Sequence, residues 1–196
     1  MTRRQVTVKR CFDLALSAIG LTLLWPVILV TWRLAARDTG ASGFFVQERI
    51  GLDGRRFRLV KLRTMRDVGG STVTTRDDVR VTALGRRLRR WKIDELPQLW
   101  NVLKGDMSFV GPRPDVPGFA DQLQGNDKVL LTVRPGITGP ATLKYRDEEA
   151  LLSGVADPEE YNRTLIWPDK VRLNRAYIEN WSFIKDLGLI LRTLRG

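Results

Sequence analysis

From Leu14 to Trp32 the chain carries no charged residue, and about 19 such positions would rise roughly 28 Å as one helix, close to the hydrocarbon thickness of a bilayer. So long an uncharged run leaves little amphipathic pattern to orient a core helix, and it predicts a helix that enters lipid. Pro26 lies inside it, removing a backbone donor and crowding the preceding turn, so a break or bend is expected near Trp25. Beyond this run the period changes to two. Phe57, Leu59 and Lys61 alternate with Arg56, Arg58 and Val60, and 44–50 precede them across Gly51-Leu52-Asp53-Gly54, which predicts a β-hairpin. Gly69 to Asp78 is small, polar and charged without a period, and reads as a loop.

Leu84, Leu88 and Trp91 then recur at helical spacing with Arg86, Arg87, Arg89 and Arg90 around them, predicting a basic amphipathic helix. Leu96, Leu99, Trp100 and Leu103 predict a second, with Asp94 as its N-cap, Pro97 in its first turn and Gly105 at its end. Pro168 to Arg195 reads as one or two helices, apolar at Val171, Ala176, Ile178, Leu187, Ile190, Leu191 and Leu194, that either pack on the domain or lie on a lipid surface. The fold class expected is α+β, mainly helical with a small β-hairpin, an N-terminal membrane helix broken at Pro26 and amphipathic interfacial helices. Residues 1–38 form the membrane helix with its basic flanks, and 39–196 the remaining domain.

Charge sets the expected topology of that helix. Arg3, Arg4, Lys9 and Arg10 precede it and Arg33 and Arg37 follow, and basic flanks prefer the cytoplasmic side. A re-entrant helix that dips in and returns places both flanks there, whereas a single span strands one of them outside. A signal peptide has a similar outline, but Arg33 falls where a small-residue cleavage site would stand. The whole chain of 196 residues has 33 Lys and Arg against 22 Asp and Glu, a net charge of +11, so a polyanionic partner is expected: nucleic acid, anionic lipid or a phosphorylated metabolite. The absence of histidine excludes Ser-His-Asp and Cys-His nucleophile pairs and histidine-ligated zinc. A single cysteine, Cys11, excludes an internal disulfide.

Chemistry therefore falls to carboxylates, Lys, Arg or Tyr. Asp94 and Glu95 stand at a predicted helix start after Arg86, Arg87, Arg89, Arg90 and Lys92, where positive neighbours favour an ionised carboxylate able to attack phosphorus or hold a divalent cation. Read alone, the pair is better explained by a helix cap and first-turn decoration. Gly111-Pro112-Arg113-Pro114 is a stiff loop around one guanidinium, suited to a phosphate but equally an ordinary turn. Arg134 to Pro140 is a loop of the same character, and Lys61 and Arg63 could meet the same anion or face solvent.

Taken in order, these segments resemble one family. Lys9-Arg10-Cys11-Phe12-Asp13, Gln47-Glu48-Arg49-Ile50-Gly51, Lys61-Leu62-Arg63-Thr64-Met65, Asp94-Glu95-Leu96-Pro97-Gln98-Leu99, Asn101 to Ser108, Gly111 to Pro114 and Pro135 to Gly139 are similar to the motifs of monotopic phosphoglycosyl transferases, in their minimal catalytic form. These bacterial sugar transferases begin assembly of lipid-linked glycans. The resemblance implies a re-entrant helix and a catalytic domain at the cytoplasmic face of the bacterial cell membrane. It also implies transfer of a sugar 1-phosphate from a UDP-sugar to polyprenyl (undecaprenyl) phosphate with release of UMP. The implied route is ping-pong, through a covalent aspartyl phosphosugar, and dependent on Mg2+.

By the same resemblance Asp94 is the nucleophile and Glu95 its acidic partner in metal binding or proton handling. Lys61, Arg89, Gly111, Pro112, Arg113 and Pro114 are the implied substrate-binding residues. Expected partners are the UDP-sugar, polyprenyl phosphate and anionic membrane lipids, without nucleic acid; a homodimer is an allowed assembly. Trp25 stands where the family usually has serine, and Pro140-Ala141-Thr142 departs from the commoner sequence, which bears on sugar choice. Two rivals compete: a membrane-tethered nucleic-acid binder using the basic helix, and a membrane phosphohydrolase with an aspartyl phosphate.

Overall fold

A computed structural model of the chain describes residues 1–67 and 78–195, so the loop expected from Gly69 lies, except for Asp78, outside the described residues. Thr2 opens the first helix: its side chain accepts from the Gln5 amide while the Gln5 side chain reaches back to the Thr2 amide, closing a capping box. Helix α1 (Arg3–Thr39) ends at Gly40, whose φ of 71° lets its amide bond the Ala36 carbonyl. Helical backbone continues through Pro26, so the expected break is at most a bend inside one element. The proline's φ suits a helix, and the loss is one ladder hydrogen bond, with intact turns on either side. Asp13, Ser17 and Ala35 are its buried residues, while Leu23, Trp25 and Val30 are exposed. An apolar surface of this length with no protein against it fits a membrane-anchoring helix.

Its first turns are nonetheless built into the domain, unlike a removable leader. Asp13 accepts from the Phe109 amide at 3.1 Å, and Arg10 donates to the Val102 and Leu103 carbonyls at 2.6 and 2.9 Å. Lys9 pairs with Asp186 near the other end of the chain.

The hairpin forms as the alternation predicts. Strands β1 (Phe44–Ile50) and β2 (Arg56–Leu62) pair antiparallel from Phe44↔Leu62 to Ile50↔Arg56, with Asp53 and Gly54 left-handed in the turn. Helix α2 (Ala83–Arg90) is capped by Thr82, which accepts from the Gly85 amide. It approaches the hairpin so closely that a Cβ on Gly85 would sit 2.1 Å from the Thr64 carbonyl oxygen. Helix α3 (Gln98–Lys104) buries Leu99 and Val102, and Val102 packs in one cluster with Leu59 and Met107. Trp91 and Trp100, expected on apolar inner faces, are 75% and 55% exposed. Helix α2 stops at Arg90, one residue short of Trp91, and α3 starts four residues later than Asp94, which rotates its inner face to Gln98, Leu99, Asn101 and Val102.

Asn101 substitutes for a neighbouring strand: its Oδ1 accepts from the Val60 amide at 3.1 Å and its Nδ2 donates to the Arg58 carbonyl at 2.7 Å. Replacing it with alanine leaves two part-buried backbone groups of β2 without this partner, so Asn101→Ala should destabilise the fold by about 1 to 2 kcal/mol, read as a lower melting temperature. A change under about 0.5 kcal/mol would contradict this role.

Two further strands, β3 (Ser108–Val110) and β4 (Gly136–Thr138), pair in parallel, a pairing the pattern did not predict because three residues carry no readable period. Short helices α4 (Pro140–Lys144), α5 (Glu148–Ser153) and α6 (Pro158–Tyr161) lead to α7 (Trp167–Glu179) and α8 (Phe183–Arg195). The C-terminal segment is thus two helices. Val171, Tyr177 and Ile178 of α7 join Val110 and Leu130 in the second core cluster. Asp186 of α8 is buried and accepts from the Tyr177 hydroxyl, the Trp181 indole and Lys9, while Ile184, Leu187, Leu191 and Leu194 stay exposed along its outer side. An amphipathic helix with its apolar side outward suits the interface of a bilayer.

Candidate active site

The Asp94-Glu95 pair owes its position to a reversal of the chain. Lys92 takes a left-handed conformation (φ 55°, ψ 20°), and Ile93–Glu95 form one tight 3₁₀ turn before Leu96 and Pro97 lead into α3. Asp94 is therefore not the N-cap of α3: Pro97 holds that position and no side chain caps it. The turn points the pair inward, leaving Asp94 and Glu95 only 7% and 8% exposed.

The two carboxylates differ sharply. Asp94 Oδ1 is buried and has no hydrogen-bond partner among the described residues. Burial, followed by the charge of Glu95, pushes the Asp94 carboxyl above its usual range, although Lys61, Arg89 and Lys92 oppose the shift. Positive neighbours do favour its ionised form, as expected, but burial and Glu95 outweigh them. Burial also opposes ionisation of Glu95, but there Lys61, Arg113 and Lys92 prevail and hold the carboxyl well below the usual range. Its Oε1 accepts from Lys61 Nζ and from Arg113 Nη2, both at 3.1 Å. One oxygen thus serves two cations from distant segments.

Lys61 enters from β2, and burial lowers its pKa while Glu95 raises it. Arg113 enters from the loop after β3. Two backbone bonds fix that loop, Gly111 N to the Thr138 carbonyl at 2.9 Å and Gly136 N to the Pro112 carbonyl at 2.7 Å. A Cβ at Gly111 would lie 2.5 Å from the Arg134 carbonyl oxygen, so glycine is what lets the loop seat against β4. The Pro114 carbonyl accepts from Arg49 Nη1 at 3.1 Å. Arg89 stands on the other side of the pair, where its Nε donates to Thr64 Oγ1 and its Nη1 to Glu149 of α5, both at 2.9 Å.

The structure therefore gathers Asp94, Glu95, Lys61, Arg89 and Arg113, with Gly111, Pro112 and Pro114 as the mount for Arg113. It does not gather Arg63, whose guanidinium bonds the Ser42 and Phe44 carbonyls and lies over the Phe45 ring. Arg134 instead donates to the Gly105 carbonyl. Sequence reasoning gave no individual role to Arg49 or Gln98, which line a cavity beside Lys61 and Arg113. In the sequence Arg49 is one alternating strand residue and Gln98 one polar position of an amphipathic helix, so no spacing marks either.

Among the described residues no group of three or more Cys, Asp or Glu side chains could hold a metal ion. A magnesium ion that keeps waters and shares substrate phosphates needs only one or two carboxylates, and the partnerless buried Oδ1 of Asp94 fits one. Such a cluster of cations around two unlike carboxylates can bind a diphosphate and present one carboxylate to phosphorus.

A model of the bacterial sugar transferase family matches residues 4–196. Over 191 residues the chain is 38% identical to EpsL of Bacillus subtilis, named an uncharacterized sugar transferase, with 96% of this chain and 86% of that protein covered. It is 36% identical over 192 residues to the UDP-glucose:undecaprenyl-phosphate glucose-1-phosphate transferase of Caulobacter vibrioides, covering 95% of this chain and 68% of that one. A third relative is the UDP-N-acetylgalactosamine-undecaprenyl-phosphate N-acetylgalactosaminephosphotransferase of Aeromonas hydrophila, 34% identical with 96% of this chain and 43% of that protein covered. With a match along nearly its whole length, and relatives named for sugar-phosphate transfer, the chain is an enzyme that belongs to the bacterial sugar transferase family.

Proposed function

We propose that this enzyme moves a sugar 1-phosphate from a UDP-sugar to undecaprenyl phosphate, releasing UMP, in two steps through a phosphosugar carried on Asp94. The observation that carries the reading is the contrast inside the pair: Glu95 is locked by two cations, while Asp94 keeps a buried oxygen with no partner. The Caulobacter vibrioides and Aeromonas hydrophila relatives are both named for transfer to undecaprenyl phosphate.

In the first step an Asp94 oxygen attacks the phosphorus next to the sugar, and the bond to the UMP oxygen breaks. UMP takes that electron pair and leaves. In the second step an oxygen of the lipid phosphate attacks the same phosphorus, the bond to Asp94 breaks, and the carboxylate returns. Lys61, Arg89 and Arg113 offset phosphate charge in both steps, and a raised pKa makes Asp94 the more basic nucleophile once it is ionised. Asp94, with Glu95, would hold a magnesium ion, which when bound would supply further charge compensation at the diphosphate. Helix α1, re-entrant with both basic flanks on the cytoplasmic side, and the outer side of α8 hold the site at headgroup level, where soluble donor and lipid acceptor meet.

The test is to incubate the purified full chain with magnesium, undecaprenyl phosphate and a panel of UDP-sugars, reading UMP and the lipid product. Release of UMP with lipid-linked sugar phosphate from one or more donors is expected, and EDTA should stop it. Free inorganic phosphate in place of lipid-linked sugar would favour a phosphohydrolase and reject the transfer.

A further inference from the structure

Arg49 reaches the site from β1 and carries a charge with no counter-charge in contact: among the described residues it makes no ion pair. Its Nη1 and Nη2 donate to neutral acceptors, the Pro114 carbonyl at 3.1 Å and Gln47 Oε1 at 2.6 Å, and its buried Nε donates to nothing. A largely buried guanidinium in this state is costly unless an anion completes it. Burial and neighbouring Arg113 lower its pKa to about 10, which leaves it charged at neutral pH.

Arg49 lines a small, solvent-open cleft with Lys61, Gln98 and Arg113. Gln98 is only 3% exposed, and its side-chain amide makes no hydrogen bond among the described residues. Against three cations stand Glu95, already shared by two of them, and Asp94 and Asp115, whose carboxyls burial pushes up, that of Asp115 to about 6. Arg49 Nε and the Gln98 amide are thus two sets of polar groups beside this cluster with no partner among the described residues.

We propose that this cleft is a phosphate subsite and that Arg49 is a further substrate-binding residue, with Gln98 beside it, for a phosphate group of the donor or the acceptor. The guanidinium fork matches phosphate oxygens, and Nη1 is already spent fixing the Arg113 loop, so one residue both mounts that loop and completes the subsite. The inference rests on the transfer proposed above.

The experiment uses the full chain in detergent micelles. Inorganic phosphate should raise the melting temperature of the wild type, and Arg49→Gln should remove most of that rise. In the transfer assay Arg49→Gln should raise KM for one substrate at least tenfold while kcat changes less than threefold, and Arg49→Lys should recover part of the loss. A higher KM for the UDP-sugar assigns the subsite to the donor; a higher KM for undecaprenyl phosphate assigns it to the acceptor. If both KM values stay within twofold, or kcat alone falls, the proposal is overturned. Should Arg49→Gln not fold, Gln98→Leu is the second variant, and an unchanged KM for both substrates in it overturns the proposal. If the wild type releases no UMP, the transfer reading fails by itself, and the phosphate-dependent melting shift still decides the subsite.

Discussion

Asp94→Asn will cut UMP release from a UDP-sugar by about a thousandfold or more, equivalent to about 4 kcal/mol of barrier, with the fold unharmed. The amide has nearly the shape of the carboxylate but cannot form the phosphoanhydride. Its stability should match or exceed that of the wild type, because desolvation already works against the Asp94 charge and a neutral group escapes that penalty. The measurement pairs a UMP-coupled assay with a thermal melt and with mass spectrometry of enzyme held with donor alone. An adduct on another residue, or a rate within tenfold of wild type, would remove Asp94 from the role.

Glu95→Gln is expected to fail in the opposite way, losing stability as well as rate. Glu95 Oε1 is the shared partner of Lys61 and Arg113, and a neutral amide leaves a largely buried lysine beside a half-buried arginine. Breaking a buried ion pair costs about 3 to 5 kcal/mol, solvent at Arg113 lowers this to about 2 kcal/mol, and activity should drop about a hundredfold as Arg113 loses its bearing on the phosphate. The sign with pH follows from the depressed carboxyl. Stabilisation by Glu95 is complete above its unfolded value of 4.5 and is lost only as pH falls through the lower folded value. The gap in melting temperature between wild type and Glu95→Gln should therefore persist at pH 5. Equal melting temperatures at neutral pH would show that the shared oxygen contributes nothing.

What could be read beforehand followed the length of each signal. The hairpin was legible because six alternating positions, 56–61, do not fit a helix, and the pairing from Phe44↔Leu62 to Ile50↔Arg56 agrees. Asp94, Glu95, Lys61 and Arg113 were legible as a set because their motifs fall in one recurring order. The local geometry of the pair was not: Lys92 adopts a left-handed turn that its residue type does not announce, so the supposed N-cap became a buried 3₁₀ turn. Trp91 followed, left outside once α2 stopped at Arg90. The parallel strands β3 and β4 depend on contacts between residues 28 apart in sequence, such as Ser108 with Gly136, which no local pattern encodes. Arg49 and Gln98 escaped for the same reason, each being a lone polar residue until the fold places it against Lys61.

Arg10 grips the last carbonyls of α3, and α3 begins just after the turn that bears Asp94. The apolar rod and the Asp94 carboxylate therefore share one linkage through α3. On the proposed transfer the chain would work as a ruler: how deep the rod sits would fix the height at which an arriving lipid head finds its target.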